Sequence, residues 1–369
     1  MKILLLCEAY PTPQNLYAMS FVHSRAIEYV RAGHTVSVLS FSTDRDYVFE
    51  GVKILTNKSA ATKRNFDVVM AHAPNIRHHL RFLAGFESLP LVLFIHGHEV
   101  LWVNRYYPRP FGFDRGATET LTRAVRTIYD PLKLSLLRAF CKRQVATTRP
   151  LGFVFVSEWM RREAIACNPW MGLKEGWHST VIPNAVNTAF LDSFYEPAPE
   201  FMADFVCIRP FDNPKYAVDV VAKWATMIPH KRFHIYGNGR YFDENPPPPN
   251  VHIFKQFIAQ RDIPALLNNY RACVMPTRLD SQGVMMCEMA SYGIPLFTSD
   301  TDVTRQMLGG FDNVRFVAPG MNPAALLDQI PQVLHSDEPV RRRFDARVLA
   351  ARELAFAEGL LAFRPRSPL

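Results

Sequence analysis

Short apolar runs alternate with stretches of helical periodicity along almost the whole chain. This alternation is typical of βαβ units, in which a buried strand is followed by a helix that leads back to the next parallel strand. The runs of the first half are Ile3–Leu6, Thr35–Phe41, Val68–Ala71, Leu91–His96 and Gly152–Val156. Those of the second half are Asp204–Ile208, Arg232–Gly237, Val251–Phe254, Cys273–Pro276, Ile294–Ser299 and Val314–Val317. The sequence therefore predicts an α/β chain with two parallel sheets.

A segment rich in proline and acidic residues, FLDSFYEPAPEFMAD, separates the two series. The chain has 369 residues, which is longer than one ordinary core supports. We therefore predict an N-terminal domain over 1–188, a linker over 189–203 and a C-terminal domain over 204–345. Ligands of open parallel sheets bind beyond the carboxyl ends of the strands, so the residues directly after each strand are the candidate site residues.

Composition excludes several classes of protein. The six cysteines are scattered and form no C-x-x-C pair, so their spacing indicates neither a zinc site nor a disulfide framework. No run reaches the ~18–20 apolar residues that span a bilayer. Glu8 ends the N-terminal apolar run too early for a signal peptide. We expect a cytoplasmic protein that lies at most on a membrane surface.

Positive charge is concentrated in one segment. Arg105–Arg162 contains twelve Lys and Arg against four Asp and Glu, which equals the formal net charge of +8 of the whole chain. The stretch 101–113, which overlaps the start of this basic segment, interleaves aromatic residues with arginines. Further on, Asp130 and Pro131 predict the start of an amphipathic helix that carries Leu132 and its neighbours. This pattern favours an anionic membrane surface, with an ordinary core-packing helix as the alternative. We expect no nucleic-acid partner, because no binding module is recognisable.

The segment from Pro276 to Pro295, PTRLDSQGVMMCEMASYGIP, predicts a strand end, a polar loop and a helix. The amides of Gly283, Val284 and Met285 should point freely out of the start of that helix, where a phosphate would bind. Glu288 lies more than one turn further on, where its carboxylate could accept two hydrogen bonds from a ribose diol. An ordinary solvated glutamate at a helix start is the alternative interpretation.

Two other strand ends carry candidate site residues. Arg209 follows a predicted strand directly, and Lys215 lies at the start of the next helix, so the two cations could clamp a diphosphate. Taken alone, they could equally be a pair of surface cations. His96 ends an apolar strand before Gly97, and its imidazole should emerge at the carboxyl edge of the sheet. There it could hydrogen-bond a sugar hydroxyl or a phosphate.

Weaker motifs do not support other chemistries. The GNG sequence at 237–239 lacks the rest of a dinucleotide-binding fingerprint. The Asp-x-Asp pairs at 44–46 and 300–302 could hold Mg²⁺ with a nucleotide, yet each is typical of a polar turn after a strand. The spacing typical of a metal site is also not found among His72, His78 and His79. We predict no metal site.

Together these segments resemble the retaining glycosyltransferases of family 4, which have the GT-B fold of two Rossmann-like domains facing a central cleft. The stretches that match the family in order and spacing are GHTVSVLS, VFVSEWMRR, VIPNAVN, HIYGNG and PTRLDSQGVMMCEMASYGIPLFTSD. The last stretch resembles the family's Glu-x7-Glu element, here Asp280 and Glu288. The resemblance implies that Glu288 binds the nucleotide ribose and that Asp280 lies near the donor sugar. It also implies that Arg209 and Lys215 contact the donor diphosphate.

Two departures from the family pattern stand out. Asp280 replaces the usual first glutamate and shortens its reach by one methylene. The Gly-Gly loop that normally follows the first strand is replaced by YPTPQNLYAMS, which has no glycine. Side chains such as Asn15 and Tyr17 could supply the contacts of that loop instead. We also expect the C-terminal helix, over 346–369, to pack back on the N-terminal, acceptor-binding domain.

The resemblance implies sugar transfer from a UDP- or GDP-linked donor to a saccharide acceptor, with retention of anomeric configuration. The acceptor is expected to be lipid-linked, at the inner face of the cytoplasmic membrane. Cations and the helix start would neutralise the leaving diphosphate, so we expect no cofactor and no obligatory metal. Two alternatives remain open: a non-catalytic subunit that binds sugar nucleotides, and a sugar-nucleotide epimerase of similar architecture.

Overall fold

The computed structural model describes residues 1–12, 15, 18–63, 65–85, 89–147, 149–173, 176–330 and 336–362. The chain divides into two compact units. Unit 1 comprises Met1–Val103, Thr127–Ala185 and Ala346–Leu369, and unit 2 comprises Asn104–Arg126 and Val186–Asp345. The boundaries differ from those expected at two places. Residues 189–203, predicted as a linker, belong to unit 2, and so do residues 104–126 and 186–188, which were assigned to the first domain.

Unit 1 is built on a sheet of eight strands within its described residues. The strands are β1 (Lys2–Cys7), β2 (Thr35–Ser40), β3 (Tyr47–Phe49), β4 (Val52–Leu55), β5 (Val68–His72), β6 (Leu91–Ile95), β7 (Leu151–Phe155) and β8 (Trp177–Val181). Their order is β3-β4-β2-β1-β5-β6-β7-β8, and each neighbouring pair is parallel except β3 with β4. The carboxyl ends of β2, β1, β5 and β6 therefore lie side by side.

Helices cover this sheet, whose central strands are mostly apolar because both faces are buried. The helices up to β8 are α1 (Ser20–Arg31), α2 (Asn57–Thr62), α3 (His79–Leu83), α4 (Val103–Tyr106), α5 (Ala117–Ala146) and α6 (Glu158–Cys167). The part of α4 after Val103 and the part of α5 before Thr127 belong to unit 2. The C-terminal helix, Ala346–Ala362, packs on α1. A buried ion pair between Arg25 and Glu353, at 2.8 Å, joins the two helices, and the Tyr29 hydroxyl also donates to Glu353.

Helix α5 differs from the prediction. Asp130 and Pro131 were expected to begin a helix, but the helix begins at Ala117 and contains Pro131 in its interior. Asp130 is buried and accepts hydrogen bonds from the amide of Val103, at 2.7 Å, and from the ammonium of Lys133, at 2.9 Å. Its carboxylate is thus satisfied by Val103, from another element, and by Lys133 of the same helix, and it does not cap a helix start. This is why the Asp-Pro pattern was misleading.

Unit 2 contains a second sheet, which is wholly parallel. Its strands are β9 (Ala203–Ile208), β10 (Phe233–Tyr236), β11 (Val251–Phe254), β12 (Tyr270–Met275), β13 (Leu296–Ser299) and β14 (Val314–Val317). Their order is β11-β10-β9-β12-β13-β14. The helices of the unit are α7 (Val218–Met227), α8 (Tyr241–Glu244), α9 (Ile263–Leu267), α10 (Val284–Tyr292), α11 (Asp302–Leu308), α12 (Ala324–Asp328) and α13 (Glu338–Arg341), and the C-terminal helix becomes α14. The loops after β9, β10 and β12 meet at one edge of the sheet.

The aromatic segment 101–113 is used partly inside unit 2. The rings of Phe111 and Phe113 lie against Tyr241, with centroids 4.5 and 6.4 Å apart, and Arg240 stacks over Phe113. These two phenylalanines therefore have protein partners, contrary to the expectation that they face lipid headgroups. Across the described part of the chain, no helix combines the length and apolarity needed to cross a bilayer.

Candidate active site

The loop after β9 presents an unpartnered buried cation. The side chain of Arg209 is 5% exposed, and its Nε and Nη2 atoms have no hydrogen-bond partner among the described residues. Its guanidinium lies over the ring of Tyr216, 5.3 Å from the centroid. Burying charged donors without acceptors is costly, and an anionic ligand would remove that cost.

Lys215 contacts the same aromatic ring as Arg209. It belongs to the short turn Pro214–Tyr216, which Asn213 caps by accepting from the Lys215 amide at 3.1 Å. The ammonium lies 4.7 Å from the centroid of the Tyr216 ring and makes no ion pair with a described carboxylate. The structure thus brings together the two cations that the sequence singled out.

The loop between β12 and α10 is tied to the backbone of this turn. The amide of Arg278 and the hydroxyl of Thr277 both donate to the carbonyl of Lys215, at 2.9 and 3.1 Å. The guanidinium of Arg278 makes two hydrogen bonds to Asp219, at 2.7 and 2.5 Å. Arg278 therefore fixes the loop that carries Asp280 against the turn that carries Lys215.

Asp280 shapes the start of α10. Its Oδ1 atom accepts from the amides of Gln282, at 3.2 Å, and Gly283, at 2.8 Å. The expectation that the Gly283 amide is free is therefore wrong, because a carboxylate three residues earlier captures it. The amides of Val284 and Met285 make no hydrogen bond within the described residues and remain available to an anion.

Gly283 is required by its own conformation. It adopts the left-handed region, with φ 77° and ψ 57°, which glycine reaches at no steric cost. A Cβ atom there would also lie 2.1 Å from the terminal methyl of Met286. Together these constraints explain the glycine immediately before the helix.

Glu288 lies inside α10 and is 1% exposed. Its Oε1 atom accepts from the amide of Asn187, at 3.1 Å, and from the side-chain amide of Gln260, at 2.9 Å. Burial raises the pKa of Glu288 to about 7, although both hydrogen bonds oppose that rise. The side chain is thus not the solvated glutamate of the alternative interpretation. Neither partner was predicted: Asn187 lies in the VIPNAVN stretch, whereas Gln260 carries no sequence signal.

The GNG segment after β10 positions Arg209. A Cβ atom at Gly237 would lie 1.9 Å from the carbonyl oxygen of Arg209, so the two loops approach more closely than any side chain allows. The carbonyl of Asn238 accepts from the amide of Phe211, at 2.8 Å, on the other side of Arg209. The segment is therefore a support for Arg209 and not a dinucleotide motif, a role that its sequence did not predict.

His96 lies at the carboxyl edge of the sheet of unit 1, as a partly buried residue. Its Nε2 atom is 3.4 Å from Nδ1 of His72, which ends the neighbouring strand β5. Burial lowers the pKa of His96 to about 3, and the positive charge of Arg25 adds to the effect. The imidazole is therefore neutral at physiological pH and can exchange hydrogen bonds with a hydroxyl. The carboxylate of Glu99 accepts from the His96 amide and fixes the backbone there.

The remaining predicted residues lie in the loop after β1. Asn15 pairs with Thr12, and its amide donates to the Thr12 hydroxyl at 3.1 Å. Tyr17 lies outside the described residues. No group of three or more His, Cys, Asp or Glu side chains in the described ranges is arranged to hold a metal ion.

Comparison with known proteins agrees with this geometry. Residues 208–348, which contain every predicted site residue of unit 2, match the family described as Glycosyl transferases group 1. No curated protein matches the sequence.

Solved structures resemble the whole chain. Sucrose-phosphate synthase from Thermosynechococcus elongatus has a TM-score of 0.67 at 14% identity, over 98% of this chain and 100% of its own. Anabaena HepE, solved in complex with UDP and glucose, has a TM-score of 0.62 at 14% identity over the same shares. A glycosyltransferase from Rickettsia africae has a TM-score of 0.64 at 11% identity, over 98% of this chain and 99% of its own. The chain thus has the GT-B fold, and its residues 208–348 are similar to group 1 glycosyl transferases.

Proposed function

We propose that the chain is a retaining glycosyltransferase of family 4 that moves a sugar from a UDP- or GDP-linked donor to a saccharide acceptor. The observation that carries the proposal is the buried guanidinium of Arg209, which has unpaired N–H groups and contacts the same Tyr216 ring as the ammonium of Lys215. A nucleotide diphosphate supplies the acceptor oxygens that these cations lack. HepE, which has the same fold, was solved with UDP and glucose.

Charge stabilisation is the chemistry that these residues offer. As the bond from the donor sugar to the diphosphate breaks, negative charge grows on the leaving phosphate. Arg209 and Lys215 would neutralise it, together with the open amides of Val284 and Met285 at the start of α10. Because these groups are already in place, they need little reorganisation during the reaction. We therefore propose that no metal is obligatory, and that a chelator leaves the rate unchanged.

Retention follows if the acceptor attacks from the face that the diphosphate leaves. A double displacement would need a free carboxylate as nucleophile. In unit 2, Asp280 accepts two amides at the start of α10, and Glu288 is buried under Asn187 and Gln260. Glu288 is 1% exposed, and the two amides on Oδ1 hold Asp280 at the start of α10, so we propose that neither carboxylate acts as the nucleophile and that the acceptor attacks from the same face. Proton NMR of the glycoside product, with anomeric coupling compared with that of the donor, tests retention.

Donor binding is tested by thermal shift with UDP, GDP and their glucose and mannose conjugates, because a ligand of the folded state raises the midpoint. We expect stabilisation of the wild type by one base series and loss of it in Arg209→Ala. Lys215→Ala should lower turnover about a hundredfold, since it removes a preorganised charge from the leaving group. Lys223→Ala is the matched control, because Lys223 is an exposed lysine on α7 of the same unit.

The same reactions separate the alternatives. Release of UDP or GDP with formation of a glycoside supports a transferase. An epimerised donor without release indicates an epimerase. Binding without turnover indicates a subunit that only binds sugar nucleotides. If Lys215→Ala turned over as fast as the wild type, the assignment of Lys215 to the diphosphate site would be wrong.

We further propose a lipid-linked acceptor at the inner face of the cytoplasmic membrane, reached through α5. Apolar side chains on this helix are exposed at spacings of three and four residues, and Ile128 is 76% exposed. The exposed apolar residues of the stripe are Leu121, Val125, Ile128, Leu132 and Leu136. An apolar groove of about 250 Å³ continues from Leu136 along Phe140 and is bordered by Arg143. Apolar side chains with flanking cations favour an anionic bilayer surface.

Flotation with phosphatidylglycerol vesicles tests the membrane proposal against phosphatidylcholine vesicles, each at low and high salt. We expect the wild type to float with the anionic vesicles at low salt. Ile128→Asp should abolish flotation, whereas Leu173→Asp, at an exposed leucine elsewhere in unit 1, should not. Absence of the wild type from both vesicle types at every salt concentration would leave a soluble acceptor.

A further inference from the structure

A polar cluster lies at the carboxyl edge of the sheet of unit 1, on the loops after β1 and β5. Glu8 follows β1 directly, and its carboxylate accepts from Nδ1 of His78, at 2.8 Å, and from the side-chain amide of Asn75, at 2.9 Å. The ring of His78 stacks on Phe41, which follows β2, with centroids 5.5 Å apart. Three adjacent strands thus hold one carboxylate and one imidazole in fixed orientations. Both side chains remain partly exposed.

The hydrogen bonds of the cluster leave acceptors open. Burial works against ionisation, but the bonds from His78 and Asn75 hold the pKa of Glu8 below its ordinary value, so the group is a carboxylate. A carboxylate offers about four lone-pair positions, and the two neighbours do not fill them. Because Nδ1 of His78 faces Glu8, the neutral imidazole keeps Nε2 as an acceptor, and Nε2 has no partner within the described residues.

A second histidine–glutamate pair in the same unit shows what a closed pair looks like. His23 uses both ring nitrogens: Nδ1 faces the hydroxyl of Tyr10, at 2.8 Å, and Nε2 faces Glu50, at 2.9 Å. That imidazole has nothing left for a ligand. The pair formed by His78 and Glu8 differs because one ring nitrogen and part of the carboxylate remain open at the strand ends.

The backbone beside the cluster is strained. Ala73, directly after β5, has a φ of 48°, a left-handed conformation that is costly for a residue with a Cβ. It lies two residues before Asn75 in the same loop. Glu50 of the closed pair has a similar φ of 46°, so the contrast between the two pairs lies in their hydrogen bonds.

We propose that Glu8 and His78 form a subsite for an uncharged saccharide, whose vicinal hydroxyls donate to the carboxylate and to Nε2. This inference rests on the proposed function, for which the cluster would hold the acceptor sugar. The subsite presents hydrogen-bond acceptors and negative charge, so it selects hydroxyl groups and rejects phosphate or carboxylate substituents. The cation site of unit 2 has the opposite preference.

The test is saturation-transfer NMR of the full chain, without nucleotide, against methyl α-glucoside, methyl α-galactoside and methyl α-mannoside. Glucose 6-phosphate is the charged comparison. We expect at least one methyl hexoside to bind the wild type and glucose 6-phosphate not to bind. Glu8→Gln and His78→Phe should each weaken hexoside binding about tenfold or more, because hydrogen bonds to a charged group or an oriented acceptor are lost. Glu50→Gln, in the closed pair, should bind as the wild type does.

The outcomes also separate this inference from the proposed function. Thermal stabilisation by UDP or GDP must be the same in Glu8→Gln as in the wild type, since it depends on unit 2. If the wild type bound a hexoside but neither UDP nor GDP, only the proposed function would be overturned. Failure of all three hexosides, equal binding by Glu8→Gln, or equal binding of glucose 6-phosphate would overturn the subsite.

Discussion

Replacing Glu288 by glutamine should stabilise the ligand-free protein at neutral pH while weakening donor binding. The carboxyl is 1% exposed, and burial raises its pKa from 4.5 to about 7. That difference corresponds to about 3 kcal/mol of stability at pH values above both pKa values. Glutamine has nearly the same shape and keeps an oxygen that can accept from Asn187 and Gln260.

The sign of the pH dependence follows from proton binding. Below about pH 4.5 the carboxyl of Glu288 is protonated in both the folded and the unfolded chain, so this group adds no pH dependence to the stability. Between pH 4.5 and 7 the unfolded chain releases the proton while the folded chain keeps it, and stability falls as the pH rises. Above pH 7 both states are ionised, and the full loss of about 3 kcal/mol remains. Glu288→Gln removes this fall.

The assay is the thermal midpoint of wild type and Glu288→Gln at closely spaced values from pH 4.5 to pH 8. For a unit of this size, 3 kcal/mol corresponds to about 6–12 °C, so the two midpoints should nearly coincide at the acid end and separate by that amount at pH 8. Glu200→Gln, at an exposed carboxylate of unit 2, should show no such separation. UDP should stabilise Glu288→Gln less than the wild type if Glu288 accepts from the ribose. A midpoint difference that stays constant across this pH range, or a variant less stable at pH 8, would refute the reasoning.

Further substitutions test the supports of the site. Arg209→Met should raise the midpoint of the ligand-free protein and abolish stabilisation by nucleotide, because it removes a buried charge without acceptors; a lower midpoint would contradict this. Gly237→Ala should cost several kcal/mol in chemical unfolding, because its methyl group would lie 1.9 Å from the Arg209 carbonyl oxygen. Pro131→Ala should stabilise α5, by restoring a helical N–H, and raise helix content in circular dichroism. Turnover of the wild type in excess EDTA should equal that in added Mg²⁺.

The central strands of both sheets could be predicted from sequence because both faces of each strand are buried, so each is a nearly continuous apolar run. The strands that the prediction missed are β3, β4 and β8. Two of them, β3 and β8, lie at the edges of the sheet of unit 1. Exposed edges permit polar residues, as in Trp177–Val181, and remove the apolar signal.

The candidate site was predictable only where chemistry follows a strand directly. Arg209 and Lys215 belong to one short connection, so their proximity is local. The partners of Glu288 are Asn187 and Gln260, which lie 101 and 28 residues away along the chain. No spacing rule relates residues that the fold brings together over such distances. The raised pKa of Glu288 is accordingly a property of tertiary packing, which its helical position could not reveal.

Two parts of the basic segment share one predicted role but have different surroundings in the structure. Sequence patterning gave the aromatic stretch 101–113 and the helix beyond it the same preference for a membrane surface. Tyr241 lies against Phe111, whereas the apolar stripe of α5 remains exposed at Ile128. A ring that already has a protein partner gains little from a bilayer, because most of its apolar area has left water. Flotation should therefore respond to Ile128→Asp and not to Phe111→Leu, and the reverse response would show that the aromatic stretch leaves Tyr241 to bind lipid.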